Sequence, residues 1–403
     1  MPGPLHGVRV IDLTSMISGP SAAMMLADQG ADVIKVENPV GGGDHTRHVS
    51  NHDGRLATSF LNNNRNKRSL TIDLKHPEGL ATLLRVAADA DVLLQNFRPG
   101  VAERIGLGEA AVRKVAPKIV YASIAGFGFT GPYAAKPVYD PLIQALSGLT
   151  TVQAGSDRER PRLVRTILPD KLTGVVAAQA ICAALYSREK TGEGQAINIS
   201  MLDSVVAFLW GSDMESQTLM DVEVPQQEAQ SFIDLIYETA DGYISVAVQQ
   251  DKEWKALCHA LDHPEWLEDE RFKTSSGRHK HINARLQMTQ DALMARPAAE
   301  WIERLEAAGV PSAPVLRRSE MIKHPQIEAN GILFESVHPG SGRLRQARPA
   351  AKFSKTDFAL IRGGAELGEH TEEVLAEAGF SAEEIARLRA SGLFGDDAKA
   401  AAE

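Results

Sequence analysis

One group in this sequence whose setting would let it act as a nucleophile is a carboxylate. Pro169-Asp170-Lys171-Leu172-Thr173-Gly174 leads into an apolar helical stretch, Thr173 to Arg188. Two readings of Asp170 stand side by side. It caps the helix, a role that Asp favours, or it is an ionised carboxylate held at the positive helix end and able to attack an electrophile. Thr173 and Gly174 leave room beside it for a bulky partner.

Basic and amide groups recur where strands should end. Asn62-Asn63-Asn64-Arg65-Asn66-Lys67-Arg68 runs into one strand and reads either as a solvated loop or as a patch facing phosphates. Lys75 closes that strand, Asn96-Phe97-Arg98-Pro99-Gly100 closes the next, and Arg104 follows one helical turn later. Successive strand ends are where a nucleotide-bearing ligand sits on a parallel sheet. Gly126, Gly128 and Gly131 make the loop Ile124 to Pro132 open to close approach by a ligand or another chain. Ile17-Ser18-Gly19-Pro20 opens a helix whose free amides could hold an anion. The G-x-G-x-x-G fingerprint is absent there, which argues against a nicotinamide-dependent oxidoreductase.

Thiol, metal and serine-hydrolase chemistry find no matching pattern. Cys182 and Cys258 each stand alone. His45, His48 and His52 share a glycine-rich loop without a matching set of acidic partners, and His279 and His281 flank Lys280 with no further ligand near in sequence. No G-x-S-x-G elbow occurs.

The elements that must position these groups alternate strand and helix. Val8 to Leu13, Asp32 to Glu37, Ser69 to Leu74, Asp91 to Phe97, Ile119 to Ala125 and Gln195 to Met201 read as strands. Ser21 to Gln29, ended by Gly30, and Pro77 to Asp89 read as helices. This rhythm predicts an α/β fold with a parallel sheet and the site beyond its carboxyl ends. The stretch Thr173 to Arg188 is apolar nearly all round and should be buried. From 213 to 230 the chain turns polar, like a crossing segment. Ser231 to Val248 reads as a hairpin turning at Asp241-Gly242, and helices follow around Trp254 to Leu261, Ile282 to Ala295 and Ala298 to Ala308. Strand-like sequence returns at Ile332 to Val337, then a helical pair and a charged tail, Asp396 to Glu403.

Composition bounds the class. The chain has 403 residues, 43% of them apolar and 24% charged, enough for a core and outside the disordered and low-complexity classes. Its net charge of −9 argues against a nucleic-acid partner. No run of about 18 apolar residues suggests a membrane span, and the first residues lack a signal peptide's basic head and apolar stretch. A cytoplasmic enzyme without metal or thiol nucleophile is the expectation.

In order along the chain, PLHGVRVIDLT, SGP, LADQGADVIKVE, NRNKRSLTIDLK, NFRPGVAERIGLG, IAGFGFTGPY, VYDPLIQALSG, PDKLTG, GEGQAINISMLDSV and LGEHTEEVLAEAGF resemble the family III CoA-transferases. The group includes formyl-CoA, carnitine and bile-acid CoA-transferases. The resemblance covers nearly the whole chain. It implies a large Rossmann-like domain built from both chain ends (1–212 and 326–403) and a crossing segment with a small α+β domain inserted between (213–325), in an interlocked homodimer. It implies Asp170 as nucleophile, through an aspartyl anhydride and an aspartyl-CoA thioester, with Tyr139 near it. CoA is then a co-substrate rather than a tightly bound cofactor. Lys75, Asn96, Phe97 and Arg104 match residues bordering its nucleotide, and Met16, Ile17 and Ser18 fall beside the pantetheine.

Departures narrow the substrate. Ile17 replaces a glutamine of formyl-CoA transferase, Ala247-Val248-Gln249-Gln250 stands where a mobile glycine run would be, and Asn38 replaces an arginine. The first two argue against formyl-CoA and oxalate. Arg47, His48 and Arg165 are candidates for recognising a second carboxylate, which suggests succinyl-CoA as donor and a small dicarboxylic acid as acceptor. An α-methylacyl-CoA racemase is the nearest alternative. It pairs His-Asp where this chain has Tyr139-Asp140, and tyrosine is a poor base at neutral pH. A CoA-binding protein without turnover is the alternative of another class, and the retained Asp170 speaks against it.

Overall fold

Strands buried on both faces read as near-continuous apolar runs, and here they do so because helices cover each face of one sheet. The computed structural model describes residues 3–49, 55–221 and 235–395. Six strands are parallel throughout: β1 (Arg9–Asp12), β2 (Asp32–Glu37), β3 (Lys67–Thr71), β4 (Val92–Gln95), β5 (Val120–Ala125) and β6 (Ala196–Ser200). Their order is β3-β2-β1-β4-β5-β6. Val10 of β1 aligns with Val33 on one side and Val92 on the other.

Alternate residues of the strands feed two cores. Ile11, Ile34, Leu70 and Leu93 meet Leu83, Val374 and Leu388 on one face. Val10, Val33, Leu94 and Ala122 meet helices α1 (Ser18–Asp28) and α3 (Leu168–Thr191) on the other, through Ala23, Leu26, Ala177 and Ile181. Two further helices border the site end of the sheet, α2 (Asp140–Leu146) and α4 (Met201–Trp210). Helix α3 is not buried all round: Val175 and Tyr186 remain 52% and 66% exposed. By length and composition it is the one helix among the described residues apolar enough to cross a membrane. Its small-residue face instead packs on α1 and the sheet.

The basic run before β3 is neither solvated nor aimed at phosphates. Arg65 pairs with Asp28 at 2.6 Å, Lys67 with Asp12 at 2.9 Å, and Arg68 with Asp32 at 2.6 Å and with Glu373 and Glu377 at 2.8 and 2.9 Å. These cations are buried, so each needs its partner nearby. The C-terminal segment therefore lies along the sheet edge. The Thr371 hydroxyl accepts the Thr71 N–H at 3.2 Å, and Leu393 O accepts the Asp73 N–H at 2.9 Å. Leu333–His338 and Gly342–Ala347 form a separate antiparallel pair.

The chain divides into two units, one comprising Met1–Gln153, Pro161–Val224 and Ile332–Glu403, the other Ala154–Arg160 and Pro225–Gly331. In the second, Ile236–Glu238 and Tyr243–Val246 pair as the hairpin, and a third strand, Ser312–Pro314, joins them. Helices Asp251–Ala260, Ile282–Leu293 and Ala298–Ala307 close over Trp254, Phe272 and Trp301. The predicted hairpin's first residues, the second half of the polar crossing segment, His52 and the charged tail lie outside the described residues.

Candidate active site

The strand order reverses between β1 and β4, and the crevice beyond their carboxyl ends is where open α/β sheets bind ligands. Two loops meet there. The Ser15 N–H donates to Asn96 Oδ1 at 3.1 Å, and Asn96 Nδ2 donates to Ser15 O at 2.8 Å. Met16 adopts φ 71°, a left-handed conformation costly for a side chain and characteristic of functional loops. Its N–H donates to Asp44 Oδ1 at 3.3 Å.

Buried ion pairs hold this loop from below. Lys35 Nζ donates to Asp44 at 2.9 Å and to Thr14 O at 2.8 Å. Burial alone would raise the Asp12 carboxyl, but Lys67 and Lys35 beside it and the Thr14 hydrogen bond leave it below its ordinary value. Only glycine fits at Gly19, because a methyl there would overlap the Thr14 side chain.

Asp170 is the third residue of α3, not its cap. Ile167 occupies the cap position and offers no side-chain bond. The Asp170 carboxyl is instead turned to the first residue of α1, where the Ser18 hydroxyl and backbone N–H favour its charged form. Burial, and next the negative charge of Asp140, push it up to about 6, against the opposing pull of Ser18. The two helices come close because Gly174 has no side chain: its Cα faces the Ser21 hydroxyl and Ser18 O.

Asp140 enters the sequence reading only as the aspartate beside Tyr139, and its partner Gln144 not at all. Asp140 begins α2, is 4% exposed, and its Oδ2 accepts the Asp170 backbone N–H at 3.4 Å. Gln144 Nε2 donates to Asp140 Oδ1 at 2.6 Å. The same amide lies 3.3 Å from Val164 O and from Thr166 O, while its Oε1 accepts the Val164 N–H at 2.9 Å. The i, i+4 spacing of Asp140 and Gln144 is the sequence signal that could have found them.

Other candidates fall as follows. Ile17 caps α1. Tyr139 precedes α2 with its side chain 68% exposed. Phe97 is half-buried and its N–H donates to Gln95 Oε1 at 2.7 Å. Lys75 and Arg104 are exposed, with no ion pair among the described residues. Arg47 cannot recognise a substrate carboxylate, because Glu37 already holds it through two bonds of 2.8 and 2.7 Å, with Phe60 against its guanidinium. His48 Nε2 lies 2.9 Å from Gly42 O. Arg165 is exposed and sits between Val164 and Thr166, both anchored by Gln144. Among the described residues no three His, Cys, Asp or Glu side chains gather as a metal site.

The family model of CoA-transferase family III matches residues 5–371. The human succinyl-CoA:glutarate CoA-transferase is 33% identical over 381 residues, covering 93% of this chain and 86% of its own. A formyl-CoA:oxalate CoA-transferase of Rhodopseudomonas palustris is 31% identical and covered to 99% on both sides. The crystal structure of a CAIB/BAIF family protein from Brucella suis superposes with a TM-score of 0.81 at 30% identity, covering 94% of this chain and all of that one.

Proposed function

The chain belongs to CoA-transferase family III and is a CoA-transferase, and from that premise we propose that Asp170 carries the transferred group covalently. The observation that supports this is a half-buried carboxylate, pushed up to about 6, at the switch-point crevice of the sheet. Such a carboxylate is ionised at neutral pH yet more basic than an ordinary Asp, which favours nucleophilic attack.

An Asp170 oxygen attacks the acyl carbon of the donor thioester. A C–O bond forms, the C–S bond breaks, and the electron pair leaves on the CoA sulfur. The thiolate then attacks the aspartyl carbonyl, releasing the donor acid and leaving an aspartyl-CoA thioester. The acceptor carboxylate displaces CoA to give a second anhydride. CoA attacks its acyl carbon, and Asp170 leaves as a carboxylate. The Ser18 hydroxyl and N–H, which favour the charged form of the Asp170 carboxyl, are the proposed donors for an oxyanion on its carbon. Met16, Ile17, Ser18, Asn96 and Phe97 line the crevice for pantetheine and nucleotide, with Lys75 and Arg104 as cations for the phosphates. Tyr139 is a hydroxyl donor at the acyl end.

The proposed donor is succinyl-CoA and the proposed acceptor a small dicarboxylic acid. The name of the human relative supports this pair. So does Arg165, a cation whose backbone neighbours are pinned five residues before the nucleophile. Asp170→Ala is expected to abolish CoA exchange. Intact mass spectrometry of wild type with succinyl-CoA and no acceptor is expected to show a CoA-sized, hydroxylamine-sensitive addition. Exchange surviving in Asp170→Ala, or no such adduct on wild type, would overturn the mechanism. Acceptance of monocarboxylic acids alone would overturn the substrate assignment.

A further inference from the structure

Helix α3 begins without a cap of its own, and the free N–H of Asp170 in its first turn finds its acceptor on another helix. That acceptor, Asp140, is almost completely buried, and its other oxygen is fixed by Gln144 at 2.6 Å. The same Gln144 holds Val164 and Thr166, the backbone leading into α3. One amide thus sets the place of both the carboxylate and the loop that carries the nucleophile.

We propose that Asp140 is a positioning residue for Asp170, with Gln144 as the clamp that aims it. Its carboxylate fixes the first turn of α3 through the Asp170 N–H and stands as a second negative charge beside the nucleophile. This rests on Asp170 being the nucleophile. Two like charges close together in a buried site raise the free energy of the resting carboxylate. Acylation of Asp170 turns it into a neutral anhydride or thioester and removes that repulsion. The charge on Asp140 therefore favours the covalent states over the resting one without touching the substrate. The groups facing Asp140 are the Gln144 amide and the Asp170 N–H, with Lys171 a more distant favourable charge. Among the described residues no cation is bonded to it to cancel the effect.

The test compares wild type with Asp140→Asn, which keeps the shape and removes the charge. The expected result is a kcat lowered at least tenfold with the KM for succinyl-CoA within about twofold. The acid limb of kcat/KM is expected to move about one pH unit lower, because the nucleophile ionises more easily without its neighbour. The fraction of enzyme held as aspartyl-CoA adduct at equilibrium is expected to fall. An unmoved acid limb with wild-type kcat, or a KM rise at unchanged kcat, would overturn the proposal. If Asp140→Asn does not fold, Gln144→Leu serves: it leaves the charge but frees its aim, so kcat should drop while the acid limb stays near its wild-type position. Wild-type kcat in that variant would overturn the proposal as well. Absence of any adduct on the wild-type enzyme would instead point to failure of the Asp170 mechanism, so the two failures are distinguishable.

Discussion

Asp170 works against the stability of the chain that holds it. Its carboxyl rises from an ordinary 3.8 to about 6 because burial, and then Asp140, disfavour the charged form. The folded chain therefore binds this proton more tightly than the unfolded one. Below about pH 3.8 the cost is absent; it grows as pH rises through the window to about 6 and is complete above it. Asp170→Asn should accordingly be more stable than wild type at pH 7.5, by about 1–3 kcal/mol once partial solvent exposure is allowed for. That gain should shrink as pH falls towards 4. Thermal melts at both pH values check it, and a variant less stable than wild type at pH 7.5 would contradict it. At this scale the sequence was partly legible. Asp170 could be singled out because an acid at the start of an apolar helix reads as a cap or a nucleophile and the family resemblance implies the second, but Asp140, the charge that tunes it, comes from a helix thirty positions earlier. Arg47 shows the opposite error: a cation in a polar loop reads as available, and only the fold brings Glu37 beneath it.

The contact of α1 with α3 is what joins Ser18 to Asp170, and it depends on small residues. Ala at Gly174 gains roughly 1 kcal/mol of helix propensity. Its methyl would however overlap the Ser21 hydroxyl and lie 3.0 Å from Ser18 O, backbone that cannot swing aside. Overpacking costs about 1–3 kcal/mol and should win. Gly174→Ala is expected to lower both stability and kcat, and Ser21→Ala in the same chain, which removes the overlapping oxygen, to recover part of both. Urea titrations with single-turnover rates check this; a single variant as stable and active as wild type would refute it. Elements themselves were well legible. The apolar β-branched runs became β1 to β6 with ends matched or shifted by up to three residues, because side chains on both faces of a covered sheet are apolar. Helix α3 was drawn too short at its start: Pro169 sits in its first turn, where proline is welcome and reads as a break.

At the scale of the molecule, α2, α3 and α4 pack together yet leave Leu142, Leu146, Val175, Tyr186, Phe208 and Trp210 exposed. Apolar residues grouped on adjoining helices are what a homodimer interface would cover, and we propose that the protein is the interlocked homodimer expected from its resemblance. Sedimentation at micromolar concentration should give twice the 43.5 kDa of one chain; a monomer persisting at tens of micromolar would refute it. The covering of β3 by the C-terminal segment has a different consequence. Thr71 and Thr371 are 300 positions apart, as are the other bonds that close that edge to within a few tens of residues. During synthesis β3 emerges some 300 residues before its covering. For most of translation the sheet therefore presents an open edge, with Arg68 lacking its two glutamates. Strand edges left open in this way pair with other chains. The exposed stage in making this enzyme is thus the wait for the helices that cover β3, and truncation near residue 370 would leave the sheet's strands with that edge open.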